Sequence, residues 1–319
     1  MDKLDLQILS KLQSEGFQKS TTLACILGVG ERTIRRRMNI MITNKLIKVI
    51  AVPDPVLLGY RAWAKIGIKV VPEFLKNVAR MLVTHPSIYF VAYALGRFDI
   101  MVAVHFDTVE KLTHFVNSEL TRVKGILSTE TMILSCPRKY YHFSWPAPIF
   151  EKSRNTWDPY HNATVGRSHY EADELDRGIL YILMENGLTR PTNLKLRLGI
   201  GEGTIRKHMK NMLSNEVYKL VVVPNPEVLE YEIWATMGIV INQQSAHNII
   251  DSIIKHPAVY LASVSLGRFN IIIAARFHNI DVLDQFVREQ LTPMQGISAV
   301  ETYLHNKPLK YHNITWRTS

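Results

Sequence analysis

The sequence predicts an α+β protein of two tandem copies of one unit, in which a three-helix head with a short β element precedes a βαββαβ domain. Three observations carry this prediction. The chain repeats itself at a fixed offset, the hydrophobic period switches from helical to strand-like within each copy, and a polar stretch without periodicity separates the copies.

The repeat sets the boundaries. At an offset of 171 residues Leu4-Asp5 falls on Leu175-Asp176, Gly16 on Gly187 and Thr33-Ile34-Arg35 on Thr204-Ile205-Arg206. The same register brings Trp63-Ala64 onto Trp234-Ala235, His85-Pro86 onto His256-Pro257, Leu95-Gly96-Arg97-Phe98 onto Leu266-Gly267-Arg268-Phe269, and Trp145 onto Trp316. An ungapped register over that distance implies two copies of one fold. The expected domains are residues 1–60 and 61–145 for the first copy, a linker at 146–172, and residues 173–231 and 232–319 for the second.

Within the first copy, Ile8, Leu9 and Leu12 recur at helical spacing and stop at Gly16; Leu23 and Leu27 follow and stop at Gly28. A third helix is expected over Glu31–Thr43, with Ile34, Met38 and Met41 on one stripe. Leu46–Val52 then reads as a short β hairpin or wing closed by Pro53-Asp54-Pro55. That order is a winged helix-turn-helix. Next come a strand at Arg61–Val71, a helix at Pro72–Thr84, a strand at Ser87–Leu95 and a tight Gly96-Arg97 turn. A strand at Phe98–Phe106, a helix at Thr108–Leu120 and a strand at Ile126–Ser135 complete it. The order β-α-β-β-α-β is ferredoxin-like, an antiparallel sheet with helices on one face.

The formal net charge of +10 raises the expectation of a polyanionic partner. Cys25 and Cys136 lack metal-ligand spacing and are expected to be buried side chains in a reducing compartment. The start carries no signal-peptide pattern and no apolar run is long enough to span a bilayer, so a cytoplasmic, nucleoid-associated protein is expected. No Gly-rich phosphate loop, nucleophile elbow or zinc motif occurs, and neither catalytic residues, a metal nor a cofactor is expected.

The third helix carries the chemistry. On a helical wheel Arg32 and Arg36 lie opposite the Ile34 stripe, with Arg35 and Asn39 on one shoulder and Thr33 and Arg37 on the other. Guanidinium groups pair with phosphates and bind guanine edges bidentately, so this face suits double-stranded DNA. In the second copy Thr204 and Arg206 persist, Gly203 replaces Arg32, Lys207 replaces Arg36 and His208 replaces Arg37; Lys210 completes the expected contact set. A lysine offers a point charge where an arginine offers a planar fork. The first head is therefore expected to supply more sequence specificity, and the second more general affinity.

The run Leu4-Asp5…Ile8-Leu9…Leu12…Gly16, the segment Leu27-Gly28-Val29-Gly30, the arginine-rich helix, the turn Leu95-Gly96-Arg97-Phe98-Asp99-Ile100 and the strand around Thr129–Leu134 together resemble the Lrp/AsnC (leucine-responsive, feast-famine) regulators. The resemblance covers both copies. It implies that the ferredoxin-like part senses a ligand and pairs its sheet with a partner's, so that two copies look like a covalently joined dimer able to assemble into a homo-oligomer. It also implies an effector region at Gly96, Arg97, Phe98, Asp99 and Thr129, repeated at Gly267, Arg268, Phe269 and Asn270. Asp99 is similar to a residue that holds an amino-acid ammonium in the family. Asn270 lacks that charge and Val300 replaces Thr129, which leaves an amino acid or a small organic acid as the effector class.

The resulting expectation is a sequence-specific transcription regulator rather than an enzyme. Two alternatives share the architecture: a siroheme-decarboxylase-like enzyme, and an architectural DNA-binding protein that senses nothing. His85 and His256 are expected to cap helix ends, His105 lacks a histidine counterpart because Arg276 replaces it, and Trp63 and Trp234 are expected to be packing anchors. The cluster Tyr140-Tyr141-His142-Phe143 with Trp145 is expected to pack on the partner domain or the linker.

Overall fold

A computed structural model describes residues 2–15, 17–54, 57–135, 170–225, 231–242, 246–256, 258–306, 308–311 and 314–315. The aromatic cluster at 140–145, Cys136 and most of the expected linker lie outside the described residues. The chain divides into two compact units, one drawing chiefly on Met1–Gly59 and Arg167–Leu229, the other on Tyr60–His142 and Glu230–Ser319. Each unit thus combines equivalent parts of both copies.

The first unit contains both heads. Helices α1 (Lys3–Glu15), α2 (Ser20–Leu27) and α3 (Glu31–Thr43) form one head, followed by strand β1 (Ile47–Pro53). Ile8, Leu9, Leu12, Leu23, Ile34 and Met41 are almost wholly buried, so the apolar stripes read from the sequence converge on one small core. Gly28 ends α2 in a left-handed conformation at φ 65°, and its N–H returns to the Ala24 carbonyl. Cys25, expected to be buried, is exposed on α2. The core of so small a head is filled by the Leu23 side of that helix.

The expected hairpin or wing is a single strand. Helices α6 (Glu174–Glu185), α7 (Pro191–Leu198) and α8 (Glu202–Ser214) form the second head, and its strand β6 (Tyr218–Pro224) pairs antiparallel with β1. Ile50 faces Val221, and the seven pairs run from Ile47–Pro224 to Pro53–Tyr218. The register is symmetric under the repeat, so a pseudo-twofold axis passes through the ribbon. The Val49 carbonyl accepts from Gly187 N (2.8 Å) and the Leu220 carbonyl from Phe17 N (3.0 Å), so these residues turn their backbone groups away from the ribbon. In an antiparallel strand alternate residues therefore bond across the ribbon: Lys48, Ile50 and Val52 with Val223, Val221 and Lys219. Pro53 and Pro224 fall on the other set, where a missing N–H costs the ladder nothing. A side chain on Gly187 would lie 2.9 Å from the Ile50 carbonyl carbon, so only glycine lets this turn approach the ribbon.

The second unit contains both ferredoxin-like domains. The first comprises β2 (Ala62–Val70), α4 (Leu75–Thr84), β3 (Ile88–Leu95), β4 (Ile100–Phe106), α5 (Val109–His114) and β5 (Ile126–Leu134). Its strands are ordered β5-β2-β4-β3, all antiparallel, as the predicted topology requires. Both helices are less uniform than expected: Pro72–Phe74 is a 3-10 turn, and α5 continues as a π-helical segment over Phe115–Glu119. The second domain repeats the order with β7 (Ile233–Ile241), α9 (Ala246–Ile253), β8 (Val259–Leu266), β9 (Ile271–Phe277), α10 (Ile280–Gln285) and β10 (Ile297–His305). Short strands β11 (Lys310–Tyr311) and β12 (Ile314–Thr315) extend the β3 edge.

Along β2, Ala62, Ala64, Ile66, Ile68 and Val70 pack beneath the helices. The intervening Trp63, Lys65 and Gly67 occupy the opposite face, as a two-residue period dictates. The two sheets join at both edges, Ile133 with Leu266 and Leu95 with Leu304, closing eight strands into a ring. Side chains of the two inner faces therefore meet. Lys65 Nζ donates to Thr236 Oγ1 at 2.7 Å, a bond between residues at the same position of the two copies.

Candidate nucleic-acid interface and effector region

Helix α3 buries Ile34, Met38 and Met41 and exposes Arg32, Arg35, Arg36 and Asn39. With Ile40, Thr43 and Asn44, these four line an open surface depression. Thr33 is half-buried on the flank. Glu31 in the first turn holds Arg35 at 3.1 Å and accepts from Ser20 Oγ at 3.1 Å, fixing the start of α3 against α2. In the second head Thr204, Arg206, Lys207 and Lys210 are exposed on α8. Arg206 Nε donates to Glu202 at 2.9 Å, the same i,i+4 arrangement as in the first head.

Arg37 and His208 depart from the expected contact face. Arg37 pairs with Asp2 at 2.6 Å and approaches Asp5 at 3.5 Å, which pins α3 to the start of α1. His208 Nδ1 lies 2.9 Å from Asp176 Oδ1 and 3.8 Å from Asp173 Oδ2. The Tyr170 hydroxyl donates to Asp176 Oδ2 at 3.0 Å and accepts from Asn211 Nδ2 at 3.0 Å. Burial, with Asp176 beside it, pushes that hydroxyl up to about 12, so it stays protonated and donates. Wheel geometry placed Arg37 on an outer shoulder; the neighbouring aspartates decide where its guanidinium goes.

The two Gly-Arg-Phe turns have glycines at φ 108° and 121°, a region that side chains avoid. Phe98 lies over Gly67 and Phe269 over Gly238, where a Cβ would come within 2.4 and 2.5 Å of the rings. Asp99 Oδ1 takes the Lys69 ammonium at 2.9 Å and Oδ2 accepts from Val70 N at 2.8 Å. Asn270 Oδ1 accepts from Ile241 N at 3.0 Å, the equivalent of the Val70 bond. The Asp-to-Asn difference between copies therefore preserves a strand tie, while the carboxylate expected to face an effector's ammonium carries Lys69. Arg97 pairs with Glu130 at 2.6 Å, Arg268 pairs with Glu301, and Arg268 also stands 3.9 Å from Glu130. The turns of the two copies thus share one charge cluster. Thr129 sits half-buried on β5 opposite Ile68.

Inside the ring lies a polar constellation that the sequence reading missed. His105 is surrounded by Tyr60, Trp63 and Tyr89, with ring centroids at 4.2, 5.5 and 5.3 Å. At the equivalent positions the Arg276 guanidinium lies 5.2–5.3 Å from the rings of Tyr231, Trp234 and Tyr260. Each copy thus encloses one basic side chain in three aromatic rings, neutral in one case and cationic in the other. Burial, with the nearby Lys310 charge, holds His105 down to about 4. The recurrence of Tyr, Trp and Tyr at one offset was the available signal. Beside them, Thr236 Oγ1 also contacts His305 Nε2 at 2.9 Å, and burial holds Lys65 down to about 7. His85 follows α4 directly and His256 lies three residues past α9. Each Nδ1 accepts a backbone N–H two residues on, at 3.2 Å, so the imidazoles tie the turn into the next strand rather than cap a helix carbonyl. Trp63 and Trp234 are buried anchors.

A paired-head unit joined in sequence to a doubled ferredoxin-like sheet defines the class. The Lrp/AsnC ligand binding domain matches residues 64–140 and 235–314. An uncharacterised HTH-type transcriptional regulator of Pyrococcus furiosus is 35% identical over 141 residues, covering 44% of this chain and 95% of that protein. The HTH-type transcriptional regulator FL11 of the same organism is 32% identical over 135 residues, covering 42% of this chain and 89% of FL11. The chain belongs to the Lrp/AsnC family. Over 96% of its length it also shares its fold with the siroheme decarboxylase NirDL, solved with an iron-uroporphyrin III analogue, at a TM-score of 0.63 and 12% identity, covering 92% of that chain. Among the described residues no helix is long and apolar enough to cross a membrane.

Proposed function

We propose that the chain is a sequence-specific DNA-binding transcription regulator whose two heads act as one pseudo-dimeric reader. The carrying observation is the exposed Arg32, Arg35, Arg36 and Asn39 face of α3, supported from beneath by Ile34, Met38 and Met41 and repeated in weaker form on α8. The β1–β6 ladder supports the pairing, because a hydrogen-bonded ribbon restricts the separation of the two third helices and hence the half-site spacing they can span. The two half-sites are unequal: Arg36 supplies a bidentate fork where Lys207 supplies a point charge. Titration of Arg36→Ala and Lys207→Ala on cognate and scrambled duplexes tests this reading. Loss of about 1–3 kcal/mol of discrimination is expected for Arg36→Ala, against a more even loss on both duplexes for Lys207→Ala. Equal loss of specificity in the two variants counts against unequal half-sites, and parent protein that binds both duplexes alike counts against sequence reading.

The effector is proposed to act at the shared cluster of Arg97, Glu130, Arg268 and Glu301. A small organic acid, competing with the glutamates for the two guanidinium groups, fits better than an amino acid, since Lys69 already neutralises Asp99. Homo-oligomers of the tandem chain in the cytoplasm, associated with the nucleoid, complete the proposal. The fold shared with NirDL keeps an enzymatic reading open to one direct test. Incubation with siroheme is expected to leave its carboxylates intact, and their loss, seen by mass spectrometry, overturns the regulator assignment.

A further inference from the structure

Residues at equivalent positions solve one electrostatic problem in two different ways. In the first head, Asp2 and Asp5 at the start of α1 receive the Arg37 guanidinium. In the second head the same acid pair recurs as Asp173 and Asp176, and the side chain facing it is His208. Asp176 is almost wholly buried, with 4% of its side chain exposed.

Each carboxylate has one oxygen committed to the fold. Asp173 Oδ1 caps α6 by accepting from Asp176 N at 2.7 Å. Asp176 Oδ2 accepts from the Tyr170 hydroxyl, which is itself oriented by Asn211. The remaining oxygens, Asp173 Oδ2 and Asp176 Oδ1, are the two that face His208 Nδ1, and one ligand atom from each of the three residues lies within 4.8 Å of the other two. The 2.9 and 3.8 Å separations from Nδ1 bracket the roughly 3.3 Å expected between neighbouring tetrahedral ligands with bonds of about 2.0–2.1 Å. An imidazole is not the permanent cation that Arg37 supplies covalently in the first head.

We propose that Asp173, Asp176 and His208 form a site for a divalent first-row transition ion, with Zn²⁺ the best fit. One imidazole nitrogen and two carboxylate oxygens suit zinc, with a fourth position for water. Magnesium and calcium prefer all-oxygen shells with more ligands. The tyrosine and the helix cap orient the ligands from behind, as outer partners do in established metal sites. Such an ion would tie the first turn of α6 to α8 as Arg37 ties α3 to α1. The inference is independent of what the heads bind.

Zinc titration of the full chain by calorimetry, with Co²⁺ absorption as a second reporter, tests it. His208→Arg recreates the first-head arrangement and fills the site with a tethered cation. The parent is expected to bind one more equivalent than His208→Arg, with micromolar affinity, and to gain thermal stability with zinc that the variant does not gain. Asp173→Asn keeps the helix cap while removing one charge, and is expected to weaken binding at least tenfold. It decides the matter if circular dichroism shows His208→Arg unfolded. Equal zinc stoichiometry in the parent and the folded variant, or no added stability of the parent with zinc, overturns the proposal.

Discussion

Lys65 shows how far a single residue can depart from its local rules. A lysine on a strand reads as a solvated position, yet this one is 2% exposed and bonds to Thr236. Burial lowers it from 10.5 to about 7, so the unfolded chain binds more protons than the folded chain between those values. Stability therefore rises with pH from about 7 to 10.5, and the full cost of burial is present below about 7. Lys310, lowered to about 8 by burial, acts in the same direction over a narrower window. In Lys65→Met the gain in melting temperature between pH 7 and pH 10 should shrink to what Lys310 and the remaining groups supply. An unchanged gain would exclude Lys65 as its source. The sequence could not disclose this burial, because the face opposite the helices is covered only by the second copy.

At the level of elements, the ribbon of β1 and β6 is where local pattern and final structure part. Leu46–Val52 was expected to be a hairpin or wing; it is one strand, and its partner lies far along the chain. An alternating pattern fixes which side chains share a face and leaves open which edge supplies the hydrogen bonds. Ile50 is buried and belongs to the bonded set, so Ile50→Pro, which removes a ladder hydrogen bond, should cost more than the about 0.5–1.5 kcal/mol of Ile50→Val. Hydrogen exchange is the suitable measurement. Ile50→Pro should deprotect β6 amides of the other copy while those of β2 and β4 stay protected. Retained protection in β6 would mean that the ladder does not hold the heads together. The helices were easier to anticipate: α3 runs over Glu31–Thr43 as expected, and its stripe of Ile34, Met38 and Met41 is buried, because that signal is local. The π-helical continuation of α5 left no such trace.

For the whole molecule, the repeat governs both units, since the ladders that join β1 to β6, β5 to β8 and β3 to β10 respect the same offset. The heads pair through β1 and β6, and the sheets through β5 with β8 and β3 with β10. On the proposed reading the two cationic third helices neutralise several phosphates, and each phosphate contact steepens the salt dependence by about 0.9 in the log-log slope. With four phosphates engaged, affinity should fall about a hundredfold between 50 and 200 mM salt, as fluorescence anisotropy on one duplex can measure. A flat dependence would remove the electrostatic basis for DNA binding.

By itself the sequence determined the copy number, the order of elements, the buried stripes of the helices and the cationic composition of α3. These depend on residue period and local backbone preference, which act over one or two turns. Tertiary structure alone decided which strand edges join, that Arg37 and His208 turn to aspartates, that Lys69 neutralises Asp99, and that aromatic rings enclose His105 and Arg276. Each of those outcomes depends on charge or burial contributed by residues distant in the chain, and no local period encodes that.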